Sequence, residues 1–119
     1  MNSLFTAVQQ FIARWRQRFL PQEPKVRAHV TVKGRIFDGS FHVYAEGQAR
    51  AYRLTGWMKL RDGLLPSAFL EMEVEGPDPK VKDYIMDLRK GNKDSHVTLV
   101  TVEWKQAGHP PYSDFQRLL

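Results

Sequence analysis

The amino-acid sequence predicts an α+β domain with the element order β-α-β-β-α-β, preceded by an amphipathic helix. The chain has 119 residues, which is enough for one domain with a real core and too few for two. Several segments alternate apolar and polar residues, as half-buried strands do, and others repeat apolar residues at helical spacing. Such a split β-α-β repeat folds as an antiparallel sheet with both main helices on one face.

The composition is that of a soluble globular protein, since 42% of the residues are hydrophobic and 26% are charged. The chain contains no cysteine, which excludes disulfides, thiol nucleophiles and cysteine-based zinc sites. Its apolar runs are far shorter than the roughly 20 residues of a membrane span. Arg14 and Arg16 interrupt the N-terminal segment where a signal peptide would be apolar. We therefore expect a cytoplasmic protein.

The first predicted element is an amphipathic helix over residues 3–20, which Pro21 ends. We treat residues 1–21 as an N-terminal extension. We expect residues 4–20 to dock on the domain, on a second copy of the chain or on a protein partner. The less favoured alternatives are an anionic membrane surface and a segment that orders only on binding. The apolar stripe consists of Leu4, Val8, Phe11, Trp15 and Phe19.

A strand, a helix and a second strand follow in the first half of the domain. Apolar residues alternate with polar ones from Val26 until Gly34 ends the strand. The predicted helix begins near Phe41, and a strand follows around Gly56 and Trp57. The helix is indicated by the spacing of Phe41, Ala45, Ala49 and Tyr52.

The second half contains a strand, a helix and a long strand, followed by a short last strand. The third strand runs from Phe69 to Glu75, and its acidic side, with Glu71, Glu73 and Glu75, is expected to be solvated and paired with basic neighbours. Asp78 is the expected N-cap of the second helix, with Pro79 as its first residue and Gly91 at its end. The long strand covers His96 to Trp104, and the last segment carries Phe115 and Leu118. These elements predict a ferredoxin-like sandwich.

The turn between the first strand and the first helix is a candidate anion site. Backbone N–H groups in a glycine-bearing turn can bind an anion together with the positive end of the following helix. Asp38 would repel such an anion, and His42 occupies the helix entry where a permanent cation would serve better. The turn residues that would present their amides are Phe37, Asp38, Gly39, Ser40 and Phe41.

From Val26 to about Leu118 the chain resembles the acylphosphatase family, whose loop has the form Gly-x-Val-Gln-Gly-Val-x-Phe-Arg. The matching segment here is Gly34-Arg35-Ile36-Phe37-Asp38-Gly39-Ser40-Phe41-His42. The family's Gly-Trp-Val-x-Asn strand is similar to Gly56-Trp57-Met58-Lys59-Leu60. The resemblance implies a domain over residues 26–119 with the ferredoxin-like sandwich of acylphosphatase type. The N-terminal extension lies outside it.

The resemblance also implies hydrolysis of acyl phosphates to carboxylate and phosphate, without a metal or other cofactor. In the family an arginine and the loop amides hold the phosphate, and an asparagine positions the attacking water. His42 stands at the arginine position and Leu60 at the asparagine position. Histidine has fewer donors than arginine and little charge at neutral pH, and leucine cannot hydrogen-bond water. We expect a domain that has lost catalysis and acts as a binding or regulatory module. The alternative is a weak or divergent acylphosphatase.

Other ligand classes find less support in the sequence. The histidines at 29, 42, 96 and 109 lack the spacing of metal ligands, so no metal site is expected. Residues 1–35 carry seven basic residues against Glu23 alone, so the net charge of +5 does not indicate a nucleic-acid-binding body. RNA-recognition domains share the element order but stack bases on aromatic residues, which the polar side of the first strand lacks. A phosphate or an acyl phosphate is the expected ligand.

Overall fold

The computed structural model of the chain describes residues 24–37, 40–61, 68–108 and 111–118. The predicted helix within residues 1–21 lies outside these ranges, as do Asp38 and Gly39. Within them, no helix is both long enough and apolar enough to cross a membrane.

From Lys25 onward, the predicted order of strands and helices is confirmed. The first half contains β1 (Lys25–Arg35), α1 (Phe41–Ala51) and β2 (Thr55–Arg61). The second half contains β3 (Phe69–Pro77), α2 (Asp78–Lys90), β4 (His96–Gln106) and β5 (Phe115–Leu118).

The sheet has five strands in the order β4-β1-β3-β2-β5. The first four pair antiparallel with their neighbours, as predicted. β5 instead pairs parallel with β2, so the sheet is mixed and the expectation of a purely antiparallel sheet was wrong. The reason is topological. The last residues of β4 and the first residues of β2 lie at the same end of the sheet, and the chain after β4 crosses this end to the edge formed by β2 before it begins β5. It therefore enters β5 beside the start of β2, with Phe115 opposite Gly56.

One hydrophobic core lies between the sheet and the two helices. Each central strand contributes alternate residues to it, which places both helices on the same face of the sheet. The strand residues of this core include Ala28, Val30, Val32, Met58, Leu70, Met72 and Val74. The helix residues are Phe41, Ala45 and Ala49 of α1 with Val81, Tyr84, Ile85 and Leu88 of α2.

Polar contacts fix α1 against α2. The buried Tyr84 hydroxyl donates a hydrogen bond to the carbonyl oxygen of Ala45 at 2.8 Å. Asp87 Oδ2 accepts hydrogen bonds from Gln48 Nε2 at 2.9 Å and from the Tyr52 hydroxyl at 2.6 Å. This hydrogen bond to Asp87 is the main reason that the pKa of Tyr52 rises to about 12. These contacts hold the helix that carries His42 at its first turn.

The second helix begins one residue earlier than predicted. Asp78 is the first helical residue and Pro77 precedes it, so Asp78 is not the N-cap. The carboxylate of Asp78 instead pairs with Lys82 Nζ at 2.8 Å, one turn further along the helix. An acidic residue in the first turn is favourable because it faces the positive end of the helix dipole.

The acidic side of β3 is less solvated than predicted. Glu73 is 8% exposed and Glu75 is 2% exposed. Arg27 Nη2 donates a hydrogen bond to Glu75 Oε2 at 2.8 Å. The His29 ring lies between two carboxylates, with Nδ1 2.9 Å from Glu73 Oε2 and Nε2 3.1 Å from Glu71 Oε2. The predicted pairing with basic neighbours is therefore present, but it is largely shielded from water.

Tyr112, in the connection between β4 and β5, covers this charged face. Its hydroxyl donates to Glu73 Oε1 at 2.7 Å and accepts from Trp57 Nε1 at 3.2 Å. The Arg27 guanidinium carbon lies 4.1 Å from the centre of its ring. Burial pushes the pKa of Glu73 upward, but hydrogen bonds from His29 and Tyr112 outweigh it and hold this pKa below its usual value.

Candidate functional site

The turn between β1 and α1 is anchored in the core at both ends. Ile36, directly after β1, is 3% exposed, and Phe41, the first residue of α1, is fully buried. Phe37 is half-buried and packs against the core. Ser40 precedes the helix, but its side chain does not cap it. The Ser40 hydroxyl oxygen instead accepts a hydrogen bond from Asn92 Nδ2 at 3.1 Å, which ties the turn to the segment after α2.

The first turn of α1 leaves the positive end of the helix dipole without an acidic side chain. His42 is the second residue of the helix and is exposed. Its imidazole therefore stands at the helix entry, as the sequence predicted.

Leu60 lies near the end of β2 on the face that carries the helices. Met58, two residues earlier on this face, is fully buried, whereas Leu60 is 47% exposed. The neighbouring Arg61 points to the opposite face, where its Nε donates to Glu71 Oε1 at 2.7 Å. Arg61 therefore turns away from the face on which Leu60 lies.

A cavity of about 490 Å³, which we call the site cavity, brings the separate parts of this site together. It contains Phe37 and Phe41 from the predicted loop, His42 from the helix entry and Leu60 from β2. Ser40 does not line it. The remaining lining residues among those described are Ile36, Met58, Leu70, Arg117 and Leu118.

Arg117 of β5 is a lining residue that the sequence reasoning missed. It pairs in register with Met58, so its side chain lies on the helix face of the sheet. Its Nε is 4.0 Å from Glu46 Oε2, and Glu46 also accepts a hydrogen bond from Arg50 at 3.0 Å. The sequence signal for Arg117 was weak because a four-residue strand has no strong pattern and the parallel pairing of β5 was not anticipated.

The site cavity combines apolar walls with the Arg117 guanidinium and the His42 imidazole at its edge. Arg117 is always charged and offers several donors in a planar fork, which suits a phosphate or carboxylate oxygen. The His42 imidazole contributes a further ring N–H donor. Leu60 offers no hydrogen bond, so it holds no water in position. The described residues can therefore bind an anion joined to an apolar group.

The charged cluster around His29 lies on the other face of the sheet and does not contribute to the site cavity. Within the described ranges, no group of three His, Asp or Glu side chains is placed to hold a metal ion. The contacts of His29, Glu71 and Glu73 instead bind β1 to β3 across the sheet.

Comparisons with known proteins identify one family. The family model for acylphosphatase matches residues 28–117. An acylphosphatase from Chloroflexus aurantiacus is 34% identical over 82 residues, which are 68% of this chain and 84% of that protein. An acylphosphatase from Bacillus velezensis is 32% identical over 75 residues, covering 63% of this chain and 79% of that protein.

The fold agrees with these sequence relatives. The crystal structure of acylphosphatase from Bacillus subtilis superposes with a TM-score of 0.71, covering 79% of this chain and 99% of that one. Its sequence identity of 22% makes this a likeness of fold alone. Because the family model spans most of the chain and includes the loop, the helix entry and β2, the chain belongs to the acylphosphatase family.

Proposed function

We propose that this chain is a divergent acylphosphatase that binds acyl phosphates in the site cavity and hydrolyses them slowly. Water attacks phosphorus, the bond from phosphorus to the acyl oxygen breaks, and the carboxylate leaves. The products are a carboxylate, hydrogen phosphate and a proton, so no oxidant, reductant or second substrate is required.

The observation that carries the proposal is the meeting of Phe37, His42, Leu60 and Arg117 in one cavity. The loop, the helix entry and the strand that the family uses for its site thus converge on one space. The relatives are named acylphosphatases and match over most of their own length, which supports hydrolysis more than a lost activity.

The proposed rate is low because two transition-state contacts are weakened. His42 replaces a permanent, forked cation, and Leu60 replaces a side chain that can hydrogen-bond the attacking water. Loss of one preorganised donor lowers a rate by about 10²–10³-fold, and two such losses in one site do not simply multiply. The positive end of α1, whose first turn contains no acidic residue, contributes to stabilising the transferring phosphoryl group.

A second candidate is a domain that binds the same ligands without turning them over. The observation that favours it is Leu60, which is 47% exposed at the cavity and can neither orient nor activate water. Under this alternative the site is a sensor or regulatory module, and ligand binding persists when hydrolysis is absent.

The test is hydrolysis of benzoyl phosphate by the purified chain in a metal-free buffer, followed by loss of ultraviolet absorbance. The proposal expects a saturable rate above spontaneous hydrolysis that is proportional to protein concentration. A rate equal to that of buffer alone, at protein concentrations high enough for single turnover, would reject it. Binding of the non-hydrolysable analogue benzoylphosphonate in that case would support the second candidate.

A further inference from the structure

We propose that the site cavity selects anions that carry a compact apolar group, with Arg117 binding the anionic head. The inference rests on the proposed function for the identity of the head as an acyl phosphate. The apolar preference and the role of Arg117 are separate claims, because they concern binding and not turnover. A benzoyl-type acyl phosphate is therefore preferred over acetyl phosphate.

The first step is the chemistry of the walls. Met58 and Leu70 are buried side chains beneath the cavity, and Phe37 and Leu60 lie around its more exposed part. The volume of about 490 Å³ is within the range of pockets that enclose small organic ligands and exceeds what a phosphate ion fills. Burying an aromatic or branched acyl group against these walls removes apolar surface from water, which an acetyl group does far less.

The second step is the position of Leu60. A polar residue there would face water at the open side of the cavity, whereas Leu60 extends the apolar wall to the rim. Exposed leucines at a cavity rim gain stabilisation when an apolar ligand covers them.

The third step is the charge balance beside the cavity. Arg117 and Arg50 share the single carboxylate of Glu46, at 4.0 Å and 3.0 Å respectively. Among the described residues, Arg50 and Arg117 are thus two permanent cations that share this one carboxylate, and the closer pair is the one that involves Arg50. Arg117 lies at the cavity with its side chain 46% exposed, so an incoming anion meets a cation that Glu46 only partly neutralises.

Arg117 thus binds the anionic head of the ligand, and the apolar wall contacts its acyl group. The permanent cation of this site therefore lies on the edge strand β5 and not at the helix entry, where His42 stands. An anionic head alone gains the Arg117 contact but not the wall, and an apolar group alone gains the wall but not Arg117. A ligand that carries both is favoured because each contact holds it in place for the other.

The experiment measures binding of two non-hydrolysable analogues, benzoylphosphonate and acetylphosphonate, by isothermal titration calorimetry with the full chain. We expect benzoylphosphonate to bind at least about tenfold more tightly. The affinities for inorganic phosphate and for benzoate are measured separately. They show whether the site binds a phosphate or a carboxylate as the anionic head. Equal affinities for the two phosphonates, or no binding of either, would overturn the inference.

Two substitutions with matched controls test the residues. Arg117→Gln should weaken benzoylphosphonate binding by about tenfold or more, whereas Arg53→Gln removes the same charge from an exposed residue at the other end of β2 and should not. Leu60→Asn should reduce the benzoyl preference by about threefold or more. Leu99→Asn should leave it unchanged, because Leu99 is similarly exposed, at 52%, but lies on β4 outside the cavity.

The outcomes separate this inference from the proposed hydrolysis. Preferential binding that depends on Arg117 and Leu60 supports the inference even when the chain hydrolyses nothing. Hydrolysis without a preference between benzoyl and acetyl ligands supports the proposed function and rejects the inference. If Arg117→Gln binds like the unmodified chain, the head is held elsewhere and the assignment of Arg117 is wrong. Thermal unfolding of each variant verifies that it is folded.

Discussion

Replacing Gly56 by alanine should destabilise the domain strongly, because this glycine fits a position that a side chain cannot occupy. Its φ is +137°, which residues with a Cβ rarely adopt. An added Cβ would lie against the backbone carbonyl of Glu73 on β3, 2.9 Å from the carbonyl carbon, and 3.2 Å from the Cα of Val74. These neighbours are backbone atoms, so no flexible side chain can move away.

The magnitude follows from two contributions. A non-glycine residue in a sparsely populated backbone region costs about 1–3 kcal/mol. Forcing β2 away from β3 to admit the methyl group costs about 1–3 kcal/mol more, as overpacking usually does. The free energy of unfolding should therefore fall by about 2–6 kcal/mol, a large part of the 5–15 kcal/mol typical of a domain. The same shift would displace Met58 and Leu60, which β2 carries to the site cavity.

Urea unfolding followed by circular dichroism measures this change, and Gly47→Ala is the matched control. Gly47 lies in α1, and a Cβ there meets nothing within 4 Å. Alanine should therefore raise the free energy of unfolding by about 0.5–1 kcal/mol through its helix propensity. The reasoning about Gly56 is refuted if Gly56→Ala unfolds at the same urea concentration as the unmodified chain, or if both substitutions shift it in the same direction.

The remaining predictions concern the charged face and the site. The pKa values of Glu71 and Glu73 lie below the ordinary 4.5 in the folded state, so both carboxylates stabilise the folded domain fully above about pH 4.5. This contribution is lost as the pH falls through the lowered pKa values of the folded state. The free energy of unfolding in urea should therefore decrease from pH 7 to pH 3, and a value independent of pH would contradict this. Tyr112→Phe removes the hydroxyl that donates to Glu73 and should lower the free energy of unfolding by about 1–3 kcal/mol. The double change His42→Arg with Leu60→Asn should raise benzoyl phosphate hydrolysis by about 10²-fold or more, and an unchanged rate would mean that the loop itself no longer supports catalysis.

Much of the fold could be predicted because the signals are local. Alternation of apolar residues defines β1 and β3, and the glycines and prolines mark where elements end. β5 was harder to place, because whether a short strand pairs parallel or antiparallel depends on where the preceding connection crosses the sheet. The burial of Glu75 was missed for a related reason. The side of a strand that faces water in a bare sheet is covered here by the segment that contains Tyr112.

The candidate site could be predicted in part. The resemblance to the acylphosphatase family implied that His42 and Leu60 stand at the site, and both line the site cavity. Arg117 could not be found in this way, since it reaches the cavity through the parallel pairing of β5 with β2.

The predicted amphipathic helix over residues 3–20, which lies outside the described residues, stays a prediction. Deleting residues 1–21 should change the oligomeric state derived from the solution mass, the free energy of unfolding or the association with membranes. Light scattering, urea unfolding and vesicle sedimentation measure these three properties.

The most direct test of the account is the initial rate of benzoyl phosphate hydrolysis by the purified chain, measured with and without benzoylphosphonate. If the site cavity is a divergent acylphosphatase site, the rate saturates with substrate, exceeds spontaneous hydrolysis and is inhibited competitively by the phosphonate. A rate equal to that of buffer alone, at high substrate concentration and at every protein concentration tested, would contradict the proposed activity.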